Sequence, residues 1–273
     1  MNPSPSRLTA LGTPPTVSSF DHDPQVWKDP RGREGPRLRG AAASHVGFHR
    51  EENEDRFLLR PDAGLFAVAD GMGGHEAGEV AATLAVESLA DAAKPRVELP
   101  AQCLRQAVCE ANRRIQGVTE SLARRTGMGT TLSAIWIQGG RAVVAHVGDS
   151  RVYRLRNGRL EQISEDHTLL AEALRGGFDP ERAARLFPSN VLTRAVGIQR
   201  EVEPLLVDCS VQPGDRFLLC SDGLTDMVAE AVIAEQLTVR VSPTQAANGL
   251  MVEALAAGGG DNVTVVVIDA VSA

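Results

Sequence analysis

Apolar residues recur along the chain with two different periods, and the switches between them outline the elements. The run Gly64-Leu65-Phe66-Ala67-Val68-Ala69 is short, apolar and ends at Asp70-Gly71, which reads as a buried strand. Over 76–92 the residues Val80, Leu84, Ala85 and Leu89 repeat at helical spacing. From Pro100 a second helix carries Leu104, Val108, Ala111, Ile115, Val118 and Leu122 on one face. The period then changes. Residues 130–137 and 141–147 read as strands joined around Gly139-Gly140, and 152–156 and 159–163 as strands joined by Asn157-Gly158, a strong hairpin signal. A short helix near 166–175 ends at Gly176-Gly177, and 178–190 is irregular with one helical turn at 180–187. Residues 205–208 and 215–220 read as strands and 225–237 as a helix. A further helix opens with Ser242 as cap and Pro243 at its first position and stops at Gly258. Residues 263–269 form a β-branched closing strand. Hairpins interleaved with amphipathic helices argue against a doubly wound parallel sheet and predict an α+β fold, an antiparallel β core covered by helices.

Residues 1–40 show no such period. They hold seven of the 15 prolines with many Ser, Thr and Arg, which predicts a disordered N-terminal extension before a folded domain over 41–273. With 43% hydrophobic and 23% charged residues the chain is average for a globular protein, but only 4% are aromatic, so the core must be built from Val, Leu, Ile and Ala. The net charge of −7 offers no basic stripe for a nucleic acid. Cys103, Cys109, Cys209 and Cys220 form no C-x-x-C pair, so a structural zinc site is not expected and a reduced, cytoplasmic setting fits. There is no signal-peptide h-region and no apolar stretch long enough to cross a membrane.

The candidate chemistry lies in where the aspartates fall. Asp70 ends one apolar strand, Asp149 another and Asp222 a third, and Asp261 opens the last. Any one of them is explained by Asp-Gly being a good turn. Four at apolar strand ends point instead to a shared mouth, where carboxylates repel one another unless a cation neutralises them. Oxygen ligands without Cys or clustered His select hard ions, Mg²⁺ or Mn²⁺, and more than two carboxylates suggest two ions and attack on phosphorus. Arg50 is suited to clamp a phosphate, although local sequence favours a surface arginine paired with nearby glutamates. His75, in a glycine-rich loop, is suited to protonate a leaving alkoxide or simply to cap a helix.

Eight motifs then occur in order over about residues 41–270: R-x-x-N-E-D (50–55), DGMGGHEAGE (70–79), GMGTT (127–131), VGDSRVYR (147–154), EDHT (165–168), LTRAVG (192–197), SDGLTD (221–226) and GGGDNVTVVVI (258–268). In these the chain resembles the PPM, or PP2C-type, protein phosphatases of bacteria. The resemblance implies a four-layer sandwich, two antiparallel sheets flanked by helices. It implies a binuclear Mn²⁺ or Mg²⁺ centre bridged by Asp70, with Asp222 and Asp261 on one ion. The Gly71 carbonyl and Asp55, or alternatively Glu54, would hold the other. Asp149 and Asp226 correspond to a weaker third ion, Arg50 to the phosphate clamp and His75 to the general acid. The implied activity is hydrolysis of phosphoserine and phosphothreonine in proteins by a monomer, opposing a Hanks-type kinase. The alternative is a non-catalytic module that binds phosphoproteins, which predicts a missing ligand. The segment 175–191 falls where such enzymes carry a variable flap.

Overall fold

The structure, a computed structural model, describes residues 16–20, 35–73, 76–93, 100–121 and 127–272. The strands are β1 (Thr16–Phe20), β2 (Arg37–His45), β3 (Arg56–Arg60), β4 (Leu65–Ala69), β5 (Gly71–Met72), β6 (Gly129–Thr130), β7 (Leu132–Gln138), β8 (Arg141–Val147), β9 (Arg151–Arg156), β10 (Arg159–Gln162), β11 (Leu205–Ser210), β12 (Arg216–Cys220) and β13 (Val263–Val271). The helices are α1 (Glu76–Ala92), α2 (Pro100–Ser121), α3 (Leu169–Arg175), α4 (Pro180–Leu186), α5 (Asp222–Thr225), α6 (Glu230–Val239) and α7 (Pro243–Ala256). One sheet has the order β1-β2-β13-β12-β9-β10 and the other β11-β8-β7-β4-β3, with every pairing antiparallel, and β5 and β6 form a small ribbon beside them.

The strand period of two sorts the core into three layers. In β4, Phe66 and Val68 point between the sheets, where they meet Ile135, Val144, Phe217, Leu219, Val266 and Ile268. Leu65, Ala67 and Ala69 point the other way, against α1 and α2. In β13, Val263, Val265 and Val267 turn outward to α6 and α7 while Val266 and Ile268 turn inward. The result is helix, sheet, sheet, helix, the expected α+β sandwich. Small residues let the layers approach: α1 presents Ala77, Ala81, Ala82 and Ala85 to its sheet. No described helix is long and apolar enough to cross a membrane.

Two expectations need adjusting. Described residues within the first 40 are not all extension, because Thr16–Phe20 pairs with Gly40–Ser44 and β2 starts at Arg37, against Val271. The boundary set at residue 41 thus falls inside a strand. The helix expected over 225–237 is split: α5 is a single turn that places Asp222, and α6 begins only at Glu230. The short helix expected near 166–175 is α3, capped by Thr168, which accepts from the Ala171 N–H, and the helical turn expected at 180–187 is α4, within the flap stretch and capped by Asp179, which accepts from the Arg182 N–H. Leu122, expected on the α2 face, lies outside the described residues.

Candidate active site

The strand ends gather the acidic residues at one mouth. Asp70 joins β4 to β5, Glu54 and Asp55 precede β3, Asp149 lies between β8 and β9, Asp222 opens α5 directly after β12, and Asp261 precedes β13. Their proximity shows in their mutual charge effects: Asp70 feels Asp55, Asp222 and Asp149, and Asp222 feels Asp226 and Asp261.

A layer of hydroxyls and amides fixes the backbone beneath them. The Asp70 carbonyl accepts from Thr130 Oγ1 at 2.8 Å and from the Thr131 N–H at 2.9 Å, while the Asp70 N–H donates to Thr131 Oγ1 at 3.0 Å. Thr131 Oγ1 in turn meets Ser150 Oγ at 2.6 Å, which ties the Asp70 and Asp149 loops together. His167 braces the second loop: its Nδ1 accepts from the Gly148 N–H at 3.1 Å, and its backbone N–H donates to the Gly148 carbonyl at 2.7 Å. On the other side Asn262 is a hub. Its Oδ1 accepts from the Glu54 N–H at 2.7 Å, and its Nδ2 donates to the Val46 and Glu52 carbonyls at 2.9 Å each. Ser221 Oγ donates to Asp55 Oδ2 at 2.7 Å and accepts from the Thr264 N–H at 3.0 Å. Two glycines are required by contact. A Cβ on Gly71 would overlap the Gly78 carbonyl oxygen and stand 2.7 Å from the Glu54 carbonyl oxygen, and one on Gly223 would overlap the Asn262 carbonyl oxygen.

Burial among like charges sets the electrostatics. Desolvation, then the neighbouring Asp222 and Asp261 charges, oppose ionisation of Asp55, whose bond from Ser221 only partly compensates, and its pKa rises to about 7. Desolvation followed by repulsion from Asp222 and Asp166 pushes Asp149 up to about 7. Asp70 and Asp222 share a hydrogen bond that favours the proton on Asp70. Asp70 is raised well above the carboxylate range by burial and then by Asp55, while Asp222 is raised to about 6, chiefly by burial. Asp226 and Glu54 are raised by desolvation as well.

Among the described residues no three His, Cys, Asp or Glu side chains converge into a ready-made ligand set. The donor chemistry nonetheless fits a hard divalent cation. Asp55 Oδ1, Asp222 Oδ1 and Glu54 Oε1 are buried oxygens without a hydrogen-bond partner, and each would otherwise cost the desolvation of a carboxylate. Glu54 lies on the Gly71 side and Asp55 on the Asp222 side, so the N-E-D motif reaches the mouth twice.

Arg50 stands at the rim, half exposed, and donates Nη2 to Asp261 Oδ2 at 2.7 Å. It therefore pairs with a carboxylate of the cluster rather than with the glutamates beside it in sequence. His75 lies outside the described residues. Sequence reasoning passed over Asn262, Ser221, Ser150 and His167, although each sits next to or within a motif that carries a candidate aspartate. Their signal was the buried polar residue adjoining Asp261, Asp222 and Asp149.

A family model for protein phosphatase 2C matches residues 39–257. The chain belongs to the protein phosphatase 2C family. It is 44% identical over 237 residues to the serine/threonine protein phosphatase PstP of Mycobacterium tuberculosis, covering 86% of this chain and 45% of that protein. It thus spans about half the length of that relative. A serine/threonine phosphatase stp of Listeria monocytogenes is 39% identical over 82% of this chain and 91% of its own. The crystal structure of M. tuberculosis PstP superposes with a TM-score of 0.80 at 42% identity, covering 86% of this chain and 99% of that one. The catalytic domain of PstP in complex with two manganese ions superposes with a TM-score of 0.78 over the same shares.

Proposed function

We propose that this PP2C-family chain is a metal-dependent protein phosphatase that hydrolyses phosphoserine and phosphothreonine esters. The observation that carries the reading is the set of buried, mutually repelling carboxylates with unpartnered oxygens, in a chain of this family. Asp70, Asp222, Asp261, the Gly71 carbonyl and Glu54 or Asp55 would hold two Mn²⁺ or Mg²⁺ ions. Asp149 and Asp226 would take a third, weaker ion. The relative crystallised with two manganese ions supports Mn²⁺ as the first choice. When bound, the ions supply charge neutralisation and a nucleophile at neutral pH.

The chain's own residues do the rest. Arg50, released from Asp261, turns its fork to two oxygens of the phosphate and holds phosphorus in line. His75 donates a proton to the departing serine or threonine oxygen, which leaves as an alcohol. Asn262, Ser221 and Thr131 keep the carboxylates at fixed spacing, so no reorganisation is needed as charge develops. Every carboxylate that the reading requires is present, which disfavours a binding-only module. The substrates are phosphoproteins, with a serine/threonine kinase and its targets as the opposing system, and the chain acts as a monomer in the cytoplasm. The deciding experiment is hydrolysis of a phosphothreonine peptide with Mn²⁺. Activity no higher than that of an Asp222→Asn variant would sink the proposal.

A further inference from the structure

A second charged site lies at the far end of the β9–β10 hairpin. A cleft of 380 Å³ is lined there by Arg154, Arg156, Asn157, Arg159 and Glu161. β9 starts two residues after Asp149 and runs away from the carboxylates, so at about 3.3 Å per residue Arg156 stands about 20 Å from them.

The ladder places Arg156 opposite Arg159 and Arg154 opposite Glu161. Residues directly opposite one another share a face, so two arginines start from neighbouring positions on it, an arrangement that is unfavourable without a counter-charge. Arg156 is paired: its Nε and Nη2 each donate to Asp215 at 2.6 Å, and Nη2 also donates to the Ser210 carbonyl at 2.9 Å, which leaves Nη1 as its weakly engaged edge. Arg154 Nη2 donates to Glu161 at 2.6 Å. Two bonds in the cleft are long. Arg154 Nη1 to the Ser210 carbonyl and Arg156 Nη1 to Ser210 Oγ are both 3.4 Å, and both are easily exchanged for a better acceptor. Arg159 is exposed and has no hydrogen bond or ion pair among the described residues. Three arginines against Glu161 and Asp215 leave one positive charge in excess, on a chain whose net charge is −7.

We propose that this cleft is a second phosphate-group site, remote from the carboxylate mouth. Arg159 offers its whole fork, and the weakly engaged Nη1 groups of Arg154 and Arg156 complete a three-sided set of donors for a tetrahedral dianion. Glu161, half exposed, is the built-in competitor and swings into solvent when phosphate enters. The choice of phosphate over other oxyanions rests on the phosphatase reading, in which every substrate and one product carry that group. The source is either free inorganic phosphate or a phosphorylated residue of a protein chain.

The test uses amide NMR spectra of the full-length, Mg²⁺-loaded chain titrated with inorganic phosphate against chloride at matched ionic strength. A second arm uses a peptide bearing a non-hydrolysable phosphonate analogue of phosphothreonine, with the unmodified peptide as control. Amides of residues 156–161 are expected to shift saturably with phosphate in either arm, and which arm responds identifies the source. Arg159→Gln, on an exposed hairpin, should weaken binding about fivefold, a loss on the scale of one charge-assisted contact in water. Glu161→Gln should tighten it, and Asp222→Asn should leave these shifts unchanged. Shifts that match those in chloride, or that ignore both Arg159→Gln and Glu161→Gln, would show that the arginines only latch Ser210 to β9 and would overturn the proposal. Absence of hydrolysis would refute the phosphatase reading on its own, since these shifts do not depend on turnover.

Discussion

Asp55 offers the sharpest test of the view that the carboxylate mouth is assembled at the expense of the metal-free fold. Its pKa is raised to about 7 by burial and by Asp222 and Asp261, against an ordinary value of 3.8. The sign follows from proton counting: between those two values the folded state holds a proton that the unfolded state has lost. The penalty is therefore complete above about pH 7 and fades as pH falls towards 4. At 1.36 kcal/mol per pKa unit, the shift corresponds to about 4 kcal/mol at pH 8, falling to below about 1 kcal/mol at pH 4. Asp55→Asn removes the charge, keeps an acceptor for Ser221 Oγ, and places a donor where Oδ1 has no partner. In chelator, urea unfolding should show Asp55→Asn to be more stable than the parent at pH 8, with the gap closing on acidification. The difference between the two proteins cancels the opposite contribution of His146 and His167. Their pKa values are lowered to about 3 and about 4, chiefly by burial, so they destabilise both proteins equally below about pH 6.5. With Mn²⁺ added the order should reverse, because only the parent gains the full binding free energy. A variant less stable than the parent at pH 8 without metal would refute the reasoning.

Three further outcomes follow from the geometry. Gly71→Ala drives a methyl into the Gly78 carbonyl and should cost about 2–4 kcal/mol, read as a lower Tm, with weaker Mn²⁺ binding by calorimetry. Asn262→Ala strips three bonds that join the Val46, Glu52 and Glu54 backbone to the Asp261 loop, and should cost about 2–4 kcal/mol in chemical unfolding and weaken metal affinity together with stability. Arg216→Lys loses the fork that meets Asp269 at 2.5 and 2.8 Å and the bonds to the Leu237 and Arg240 carbonyls. It should lower stability by about 2–3 kcal/mol while leaving kcat per folded molecule unchanged.

The elements with a strong period were legible from residue order alone. α1, α2, α7, the β9–β10 hairpin and the β-branched β13 fall where the pattern put them, since each carries its own apolar face or turn. β2 was not legible, because Arg-Leu-Arg-Gly-Ala-Ala-Ala-Ser-His has neither β-branched residues nor alternation. It is a strand because β1 and β13 hydrogen-bond it on both sides, a fact of tertiary structure. β3 was missed because its five residues are all half-buried, and α6 was started early because Asp222–Thr225 is helical for a separate reason. In the site, strand-end aspartates were readable because apolar runs stop at them. The partner of Arg50 was not: Asp261 lies 211 positions away, and nothing local distinguishes it from Glu51 or Glu52.

β13 lies in the middle of its sheet, between β2 and β12, and the loop before it carries Asp261 and Asn262. During synthesis this makes β13 the keystone. Until residues up to 271 have left the ribosome, β2 lacks its long neighbour, and Glu54 lacks the amide that clamps it from 208 positions downstream. Closing so long a loop is slow and comes late in folding. A chain made only as far as β12 therefore cannot assemble the carboxylate mouth, which is completed once β13 has slotted in.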